Sequence, residues 1–271
     1  MGPITLWHRI YFAAVGLLAL WVGVWGYFNP AQVDSAIPWL VPPLHARFLG
    51  SMYLSGAAFM VGCILARRWA EVRVVVVGIA IWTGMLFVVS LFYLDQFDFA
   101  RNQVWVWFAA YLVYPLIAIW LTWKHRGDSW KGNLSGPGLP RWTRIFLLAQ
   151  GLVMTVLALA LLLAPGLMVS LWPWKITPLL AQIYSAPFLS YGVMSLLLAY
   201  RRDWSEIRIP VVAVLVFAAG VLIASIIHLS LFSAANPATW LWLGGFAIAT
   251  LMLATLSVRA LLPYAKGANP E

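Results

Sequence analysis

A small set of polar side chains stands inside or beside long apolar segments of this chain, and these are the side chains that could do chemistry. Histidine, aspartate and tyrosine can transfer protons, and arginine binds anions. Polar groups are costly inside a hydrocarbon layer, so they are functional candidates wherever they lie at that depth. The candidate binding cluster, expected near one membrane face, consists of His45, Arg47, Tyr93, Asp95, Gln182, Tyr184 and His228.

Several interpretations of this cluster remain open. An ion pair between Arg47 and Asp95 would offset part of the cost of removing each charge from water. Such a cluster could receive a polar headgroup, a quinone ring or an anionic substrate, and His228, Asp95 and Arg47 could form the site of an enzyme acting on a lipid. The simpler interpretation, which the sequence favours, is that these residues lie at the interface and extend their polar ends to water.

Metal or haem ligation has little support in the residue types. His45 and His228 are expected at similar depth and could ligate haem as a pair, but the chain has no Cys-x-x-Cys-His motif. Zinc needs three or four ligands, and the sequence offers no such set. Cys63 is the single cysteine and is expected to be a buried thiol. We predict no metal and no catalytic residue; the cofactor is unknown, with lipid, quinone, haem and pigment left open.

A second motif, Trp-x-Glu-x-Arg, occurs twice, at 69–73 and 204–208. Both copies are predicted in short cytoplasmic loops between apolar segments. Each Glu is expected to pair with the Arg of its own motif, with a neighbouring arginine such as Arg67 or Arg68, or with nearby backbone. A structural corner is favoured over acid–base catalysis, because exposed loop carboxylates beside arginine are ordinary ion pairs. The corner residues are Trp69, Glu71, Arg73, Trp204, Glu206 and Arg208.

The elements that must position these residues are membrane-spanning helices. Hydrophobic residues make up 63% of the chain and charged residues 9%, against about 25% charged in soluble domains. The apolar blocks have the length of about 20 residues that crosses a bilayer as a helix, and they lack strand-like alternation. The fold class is therefore all-α, a polytopic membrane helix bundle. The eight predicted spans are 8–28, 47–66, 73–94, 104–123, 143–163, 179–200, 209–232 and 239–259.

The chain also repeats itself. Residues 9–124 align without gaps on 144–259, so that Arg9 falls on Arg144 and Trp107 on Trp242; we call this constant displacement the repeat offset. Self-similarity at a fixed period indicates a duplicated structural unit. We predict a first four-helix repeat at 1–124, a cytoplasmic linker at 125–142, and a second repeat with a short tail at 143–271. An even number of spans makes the repeats parallel, related by an axis along the membrane normal.

The basic residues predict orientation and partners. Of the 17 Lys and Arg residues, all but Arg47, Arg101 and Lys175 are predicted to lie on the same side of the membrane. Because cytoplasmic loops hold the excess of Lys and Arg, both termini are predicted to be cytoplasmic. The net charge of +9 then reflects topology and attraction to anionic headgroups. The expected partners are membrane lipids and other membrane protein subunits, and nucleic acid is excluded as a partner.

The first outer loop of each half, 29–46 and 164–178, is apolar and rich in Pro and Trp. Each is predicted to form a short interfacial helix or a cap over its half. Since tryptophan is common at headgroup level, a membrane anchor is favoured over a lid.

A resemblance rests on these loops and on the corner motif. The segments Pro-Trp-x-x-Pro-Pro-Leu-x-Ala at 38–46 and Pro-Trp-x-x-Thr-Pro-Leu-x-Ala at 173–181, each followed by Trp-x-Glu-x-Arg, resemble a group of uncharacterised bacterial multi-pass membrane proteins with tandem four-helix repeats. The resemblance covers nearly the whole chain. It implies a bacterial inner-membrane location and no known activity.

The expected function is that of a non-enzymatic accessory or scaffold subunit of a larger membrane complex, in contact with lipid, quinone or pigment. The small number of polar residues within the membrane and the short loops favour this scaffold function. The alternative is a small transporter or flippase, since parallel repeats occur in transporters. Its midplane site would involve serines such as Ser55, Ser190 or Ser225. The third hypothesis is the enzyme acting on a lipid.

Overall fold

A computed structural model describes residues 2–31, 41–127 and 139–266, with side chains up to residue 261. The described residues form helices and turns and contain no β-strand. The predicted all-helical fold class is thereby confirmed. The helices are α1 Leu6–Phe28, α2 Pro43–Leu65, α3 Trp69–Phe92, α4 Asn102–Lys124, α5 Arg141–Leu163, α6 Pro165–Leu171, α7 Pro178–Ala199, α8 Trp204–Ile227 and α9 Pro237–Lys266.

Eight of these helices are long and apolar enough to cross a membrane, as the sequence predicts; α6 is the short exception. The apolar spans contain 22 to 25 residues. At a rise of about 1.5 Å per residue they exceed a hydrocarbon core of about 30 Å.

Several helices begin earlier than the hydropathy pattern predicts. Proline at the first position needs no backbone N–H and has a helical φ, and it begins α2 at Pro43 and α7 at Pro178. The side chain of Asp203 accepts a hydrogen bond from the Ser205 N–H, which begins α8 at Trp204. Both Trp-x-Glu-x-Arg motifs consequently form the first turns of helices. Their predicted place in loops is wrong.

Four helices form the centre of the molecule and four lie outside it. Buried residues make up 50 to 72% of the apolar windows of α2, α3, α7 and α8, and 28 to 39% of those of α1, α4, α5 and α9. In the centre, α2 packs on α8 and α3 packs on α7. The outer helices pack on one central helix each: α1 on α2, α4 on α3, α5 on α7 and α9 on α8. The largest central contacts therefore join one half of the chain to the other.

Hydrogen bonds recur at the repeat offset. The indole N–H of Trp107 donates to the Ser90 hydroxyl at 2.9 Å, and that of Trp242 donates to the Ser225 hydroxyl at 3.0 Å. The guanidinium of Arg9 donates to the Ile64 carbonyl, and the guanidinium of Arg144 donates to the Ala199 carbonyl. Equivalent residues in the two halves thus make equivalent bonds.

The α1–α2 contact depends on small residues. A Cβ atom added to Gly50 would lie 2.5 Å from the backbone nitrogen of Tyr27, which no real Cβ contact allows. A Cβ on Gly26 would lie 2.9 Å from the Ala46 carbonyl oxygen. Close backbone approach at small residues is how helices associate in a membrane, where water does not drive them together.

Candidate functional site

The predicted outer cluster resolves into separate hydrogen-bonded pairs. Arg47 donates to the imidazole Nε2 of His228 at 2.6 Å, and the Tyr93 hydroxyl donates to the Gln182 side-chain oxygen at 2.7 Å. Asp95 is exposed in the turn after α3 and accepts a hydrogen bond from Gln96. The predicted ion pair between Arg47 and Asp95 is wrong, because Arg47 is paired with His228 instead.

These two pairs occupy corresponding positions. In the aligned halves, Gln182 falls on Arg47 and His228 falls on Tyr93. Each pair joins the beginning of one central helix to the end of another: α2 to α8 in the first case and α7 to α3 in the second. One pair is cationic and the other is neutral, so this end of the bundle is chemically asymmetric.

The charge of Arg47 acts on His228. Burial first, and then the positive charge of Arg47, lower the pKa of His228. A neutral imidazole is also what the hydrogen bond requires, since Nε2 must accept from the guanidinium. For Tyr93, burial and the nearby charge of Asp95 raise the pKa of the phenol. Both groups are therefore held neutral at physiological pH.

His45 links α2 to the outer loop of the second half. Its side chain is buried, and its ring hydrogen-bonds the Lys175 backbone carbonyl and, through Nδ1 at 2.8 Å, the Tyr184 hydroxyl. A ring that donates to a carbonyl has its other nitrogen free to accept from a hydroxyl. Through these contacts, His45 holds both the loop and α7 against α2.

The outer loop of the second half is a cap. It contains the short helix α6, as predicted, and Trp172 and Trp174 after it are each 5% exposed. Trp174 packs edge-on against Trp242 at 4.8 Å between ring centroids. The favoured membrane-anchor interpretation is wrong for these two residues, because they are buried within the protein. The matching residues 37–40 lie outside the described part of the chain.

Near the middle of the bundle, serines join the two halves. The Ser55 hydroxyl donates to the Ala213 carbonyl at 2.7 Å, and the Ser190 hydroxyl donates to the Gly78 carbonyl at 2.8 Å. Both donors and both acceptors are related by the repeat offset. A further candidate, Ser225, donates within α8 to the Val221 carbonyl. These hydroxyls are occupied in holding helices together.

The corner motifs pair across the halves. Arg73 donates to Glu206 at 2.6 Å, and Arg208 donates to Glu71. The two glutamates are 2% and 4% exposed, so they are buried and not in solvated loops as predicted. Each glutamate also has a neighbouring arginine of its own half, as predicted: Arg68 lies 3.2 Å from Glu71, and Arg201 lies 3.6 Å from Glu206. The predicted structural role therefore acts between the halves.

The corner carries an excess of positive charge. Arg201, also buried, lies 3.6 Å from Glu206, so this carboxylate has two guanidinium partners. Burial, followed by the charge of Arg73, lowers the pKa of Arg201, and Glu206 opposes the shift.

The corner tryptophans differ in surroundings. Trp69 is buried and stacks on His125 at 4.2 Å, whereas Trp204 is partly buried against the core. His8 of α1 is also buried beside Trp69. The first corner motif is therefore covered by aromatic rings from other parts of its own half.

The largest of the described cavities lies in the second half, where no site is predicted from the sequence. It is a groove of about 600 Å³ between α5 and α9, and the cap residue Trp172 is among its lining residues. We call it the α5–α9 groove. Aromatic and aliphatic side chains line it, and none of the described lining residues is charged. Its volume lies in the range of ligand pockets, about 300 to 1,000 Å³.

Two polar groups on the groove have no hydrogen-bond partner. They are the indole N–H of Trp172 and the side-chain oxygen of Gln150. A buried polar atom without a partner costs about 1 to 3 kcal/mol.

The corresponding space in the first half is smaller, and tyrosines lie in and beside it. Tyr11 donates to the Tyr114 carbonyl at 2.8 Å, and Tyr114 donates to the Ala14 carbonyl at 3.2 Å, which ties α1 to α4. The cavity beside them is about 60 Å³, and a separate depression of about 330 Å³ lies further out. At the positions equivalent to Tyr11, Tyr111 and Tyr114, the second half has Phe146, Phe246 and Ala249. This difference, readable from the aligned halves, is the signal that sequence reasoning missed.

Comparisons with protein-family models, with curated proteins and with solved structures give no match to this chain. Among the described residues, no group of three or more His, Cys, Asp and Glu side chains is arranged to hold a metal ion. Cys63 is buried and free, as expected. Of the described cavities, the α5–α9 groove is the largest, and its volume and apolar lining are those of a binding site.

Proposed function

We propose that this protein is a non-enzymatic subunit of the bacterial inner membrane that holds a long lipophilic molecule in the α5–α9 groove, within a larger membrane assembly. The observation that carries the proposal is the groove itself: about 600 Å³, uncharged and lined by aromatic rings. Ligand sites have this character, being concave and mostly apolar with a few polar groups.

The alternative functions have weaker support from the contacts. A transporter site at mid-depth would need available polar groups, but Ser55 and Ser190 are bonded to the opposite half. An enzyme using His228, Arg47 and Asp95 would need the three side chains together. Asp95 instead lies exposed with Gln96, and His228 accepts a hydrogen bond from Arg47.

We further infer a tandem duplication with a pseudo-twofold axis along the membrane normal and both termini in the cytoplasm. The bonds that recur at the repeat offset support the duplication, since crossed pairs such as Arg73–Glu206 and Arg208–Glu71 arise naturally around such an axis. The unequal distribution of Lys and Arg supports the orientation.

The proposal is tested on protein tagged at its native expression level and extracted gently from its own membrane. Gly244 and Gly245 are neighbours on α9, and a Cβ on either meets no atom within 4 Å. Gly245 lines the groove and Gly244 is not among its lining residues. Gly245→Leu should therefore fill the groove, and Gly244→Leu is the matched control.

Organic extracts of the wild type and of Gly244→Leu should contain one apolar molecule at near-stoichiometric amount, and Gly245→Leu should lower that amount at least fivefold. Particle mass is measured on the same samples. A mass above that of the 30.2 kDa chain with its detergent, with other polypeptides in fixed ratio, is the expected result. A lone chain without an enriched apolar molecule would overturn the proposal.

A further inference from the structure

The length of the α5–α9 groove limits what can fill it. Its lining on α9 runs from Ala238 to Leu253. Fifteen helical steps correspond to about 22 Å. One leaflet contributes about half of a hydrocarbon core of about 30 Å. The groove therefore crosses the middle of the bilayer, and it suits a chain longer than one leaflet.

The absence of charge along the described lining limits the headgroup. A phosphate or carboxylate removed from water needs a cationic partner, because an unpaired ion is very costly at this depth. The described lining offers no such partner, since its polar side chains are uncharged. The head of the occupant is accordingly neutral.

Two lining groups define the hydrogen bonding that the head must satisfy. Trp172 is 5% exposed, and its indole N–H has no hydrogen-bond partner. This N–H can only donate a hydrogen bond. Gln150 has an unpartnered side-chain oxygen, and rotation of its terminal amide would present two N–H donors in its place. Both polar ends are enclosed by protein, so side-chain rotation must bring the Trp172 N–H and the Gln150 amide N–H groups to the groove, where a head with hydrogen-bond acceptors satisfies them.

The ring contacts favour a flat head. Trp172 and Trp242 lie 5.2 Å apart between ring centroids, and Trp242 and Phe246 lie 4.5 Å apart. Aromatic walls of this kind gain energy from offset or edge contacts with another planar ring. A flexible lipid ester would not use this geometry.

From these limits we propose that the occupant of the α5–α9 groove is a prenylated quinone. One ring carbonyl accepts the N–H of Trp172, and the tail lies along the apolar wall of α5 and α9. This inference rests on the proposed function, because it names the class of molecule that the groove holds. No bond is made or broken and no electron is transferred in the binding step.

The test uses purified full-length protein in phosphatidylcholine nanodiscs, with empty nanodiscs as the blank for partition into lipid. The probes are tritiated decyl-benzoquinone and tritiated decylbenzene, which share a chain and a planar ring but differ in the carbonyls. The quinone should bind saturably and at least tenfold more tightly than decylbenzene. Trp172→Phe keeps the ring and removes the N–H, so it should weaken the quinone about fivefold and leave decylbenzene unchanged.

Gly245→Leu should abolish saturable binding of both probes, and Gly244→Leu should change neither. If Trp172→Phe fails to fold by circular dichroism, Gln150→Leu replaces it, with a loss confined to the quinone again expected. If both probes bind equally, and neither Trp172→Phe nor Gln150→Leu changes that binding, the quinone inference is overturned. The groove would then be a site for apolar chains. Absence of saturable binding for both probes would overturn the proposed function as well.

Discussion

Arg73 donates a hydrogen bond of 2.6 Å to Glu206, and both side chains are almost completely buried where α3 meets α8. The same contact occurs in the opposite sense between Arg208 and Glu71, which are the equivalent positions of the other half. A buried charge that loses its partner is strongly destabilising. The end of the bundle at which α3 and α8 begin is therefore held by two ion pairs, each with one residue from each half.

The two glutamates of this corner should differ in importance. Glu206 neutralises two buried arginines, Arg73 and Arg201, whereas the second partner of Glu71 is Arg68, whose side chain is 50% exposed. Glu206→Gln should lower the free energy of unfolding by about 3 to 5 kcal/mol, and Glu71→Gln should lower it by less. Thermal unfolding of both variants in one detergent measures the difference. Equal losses, or a larger loss for Glu71→Gln, would contradict the assignment.

The Arg47–His228 pair should make stability depend on pH. An unfolded histidine has a pKa near 6.5, whereas burial and Arg47 lower the pKa of folded His228. Below about pH 6.5 the unfolded state binds more protons than the folded state does. The stability that is present above about pH 6.5 is therefore lost as the pH falls. The melting temperature should therefore drop more between pH 7.5 and 5.5 in the wild type than in His228→Gln.

The corresponding pair, Tyr93 with Gln182, provides the control for this effect. The double variant Arg47→Gln with His228→Tyr copies the neutral Gln182–Tyr93 pair. It should retain the contact between α2 and α8 while showing the reduced pH dependence of His228→Gln. If both variants keep the full pH dependence of the wild type, His228 is not its source.

Helix packing at Gly50 should be intolerant of a single methyl group. Because an added Cβ would meet the backbone of Tyr27 and Gly26, α1 must move away from α2. Overpacking of this kind costs about 1 to 3 kcal/mol or more. Gly50→Ala should therefore lower the melting temperature of the purified protein.

Gly244→Ala is the comparison, since its Cβ would meet no atom within 4 Å. Alanine is the better helix former by about 0.5 to 1 kcal/mol, so this variant should be neutral or slightly stabilised. A neutral Gly50→Ala would show that the two helices do not approach as closely as described.

The proposed orientation is testable with single cysteines. Cys63 is buried and is replaced by alanine to give a cysteine-free background. Ser233→Cys lies in the exposed turn before α9, and Arg202→Cys in the exposed turn before α8, at the opposite end of that helix. A membrane-impermeant maleimide applied to intact cells should label Ser233→Cys and spare Arg202→Cys until the cells are lysed. The reverse pattern would place both termini outside.

Much of the architecture was determined by the sequence alone. Blocks of about 20 apolar residues predict eight membrane-length helices, because backbone polar groups must be satisfied internally in lipid. Helix ends were less predictable, since hydropathy does not register a capping Asp203 or a first-turn Pro43. Hydropathy likewise extends the seventh predicted span to residue 232, whereas α8 ends at Ile227 and leaves His228 just beyond it.

Only the tertiary structure decided which side chains meet. The sequence placed Arg47, Asp95 and His228 near one face, but an arginine can reach several partners, and packing of α2 on α8 selected His228. Likewise, each corner glutamate had basic neighbours in its own motif, and the crossed helices offered an arginine from the other half. The groove had the least local signal. Its lining residue Ala249 stands where the first half has Tyr114, and the space that this difference opens depends on how α5, α7, α8 and α9 pack around it.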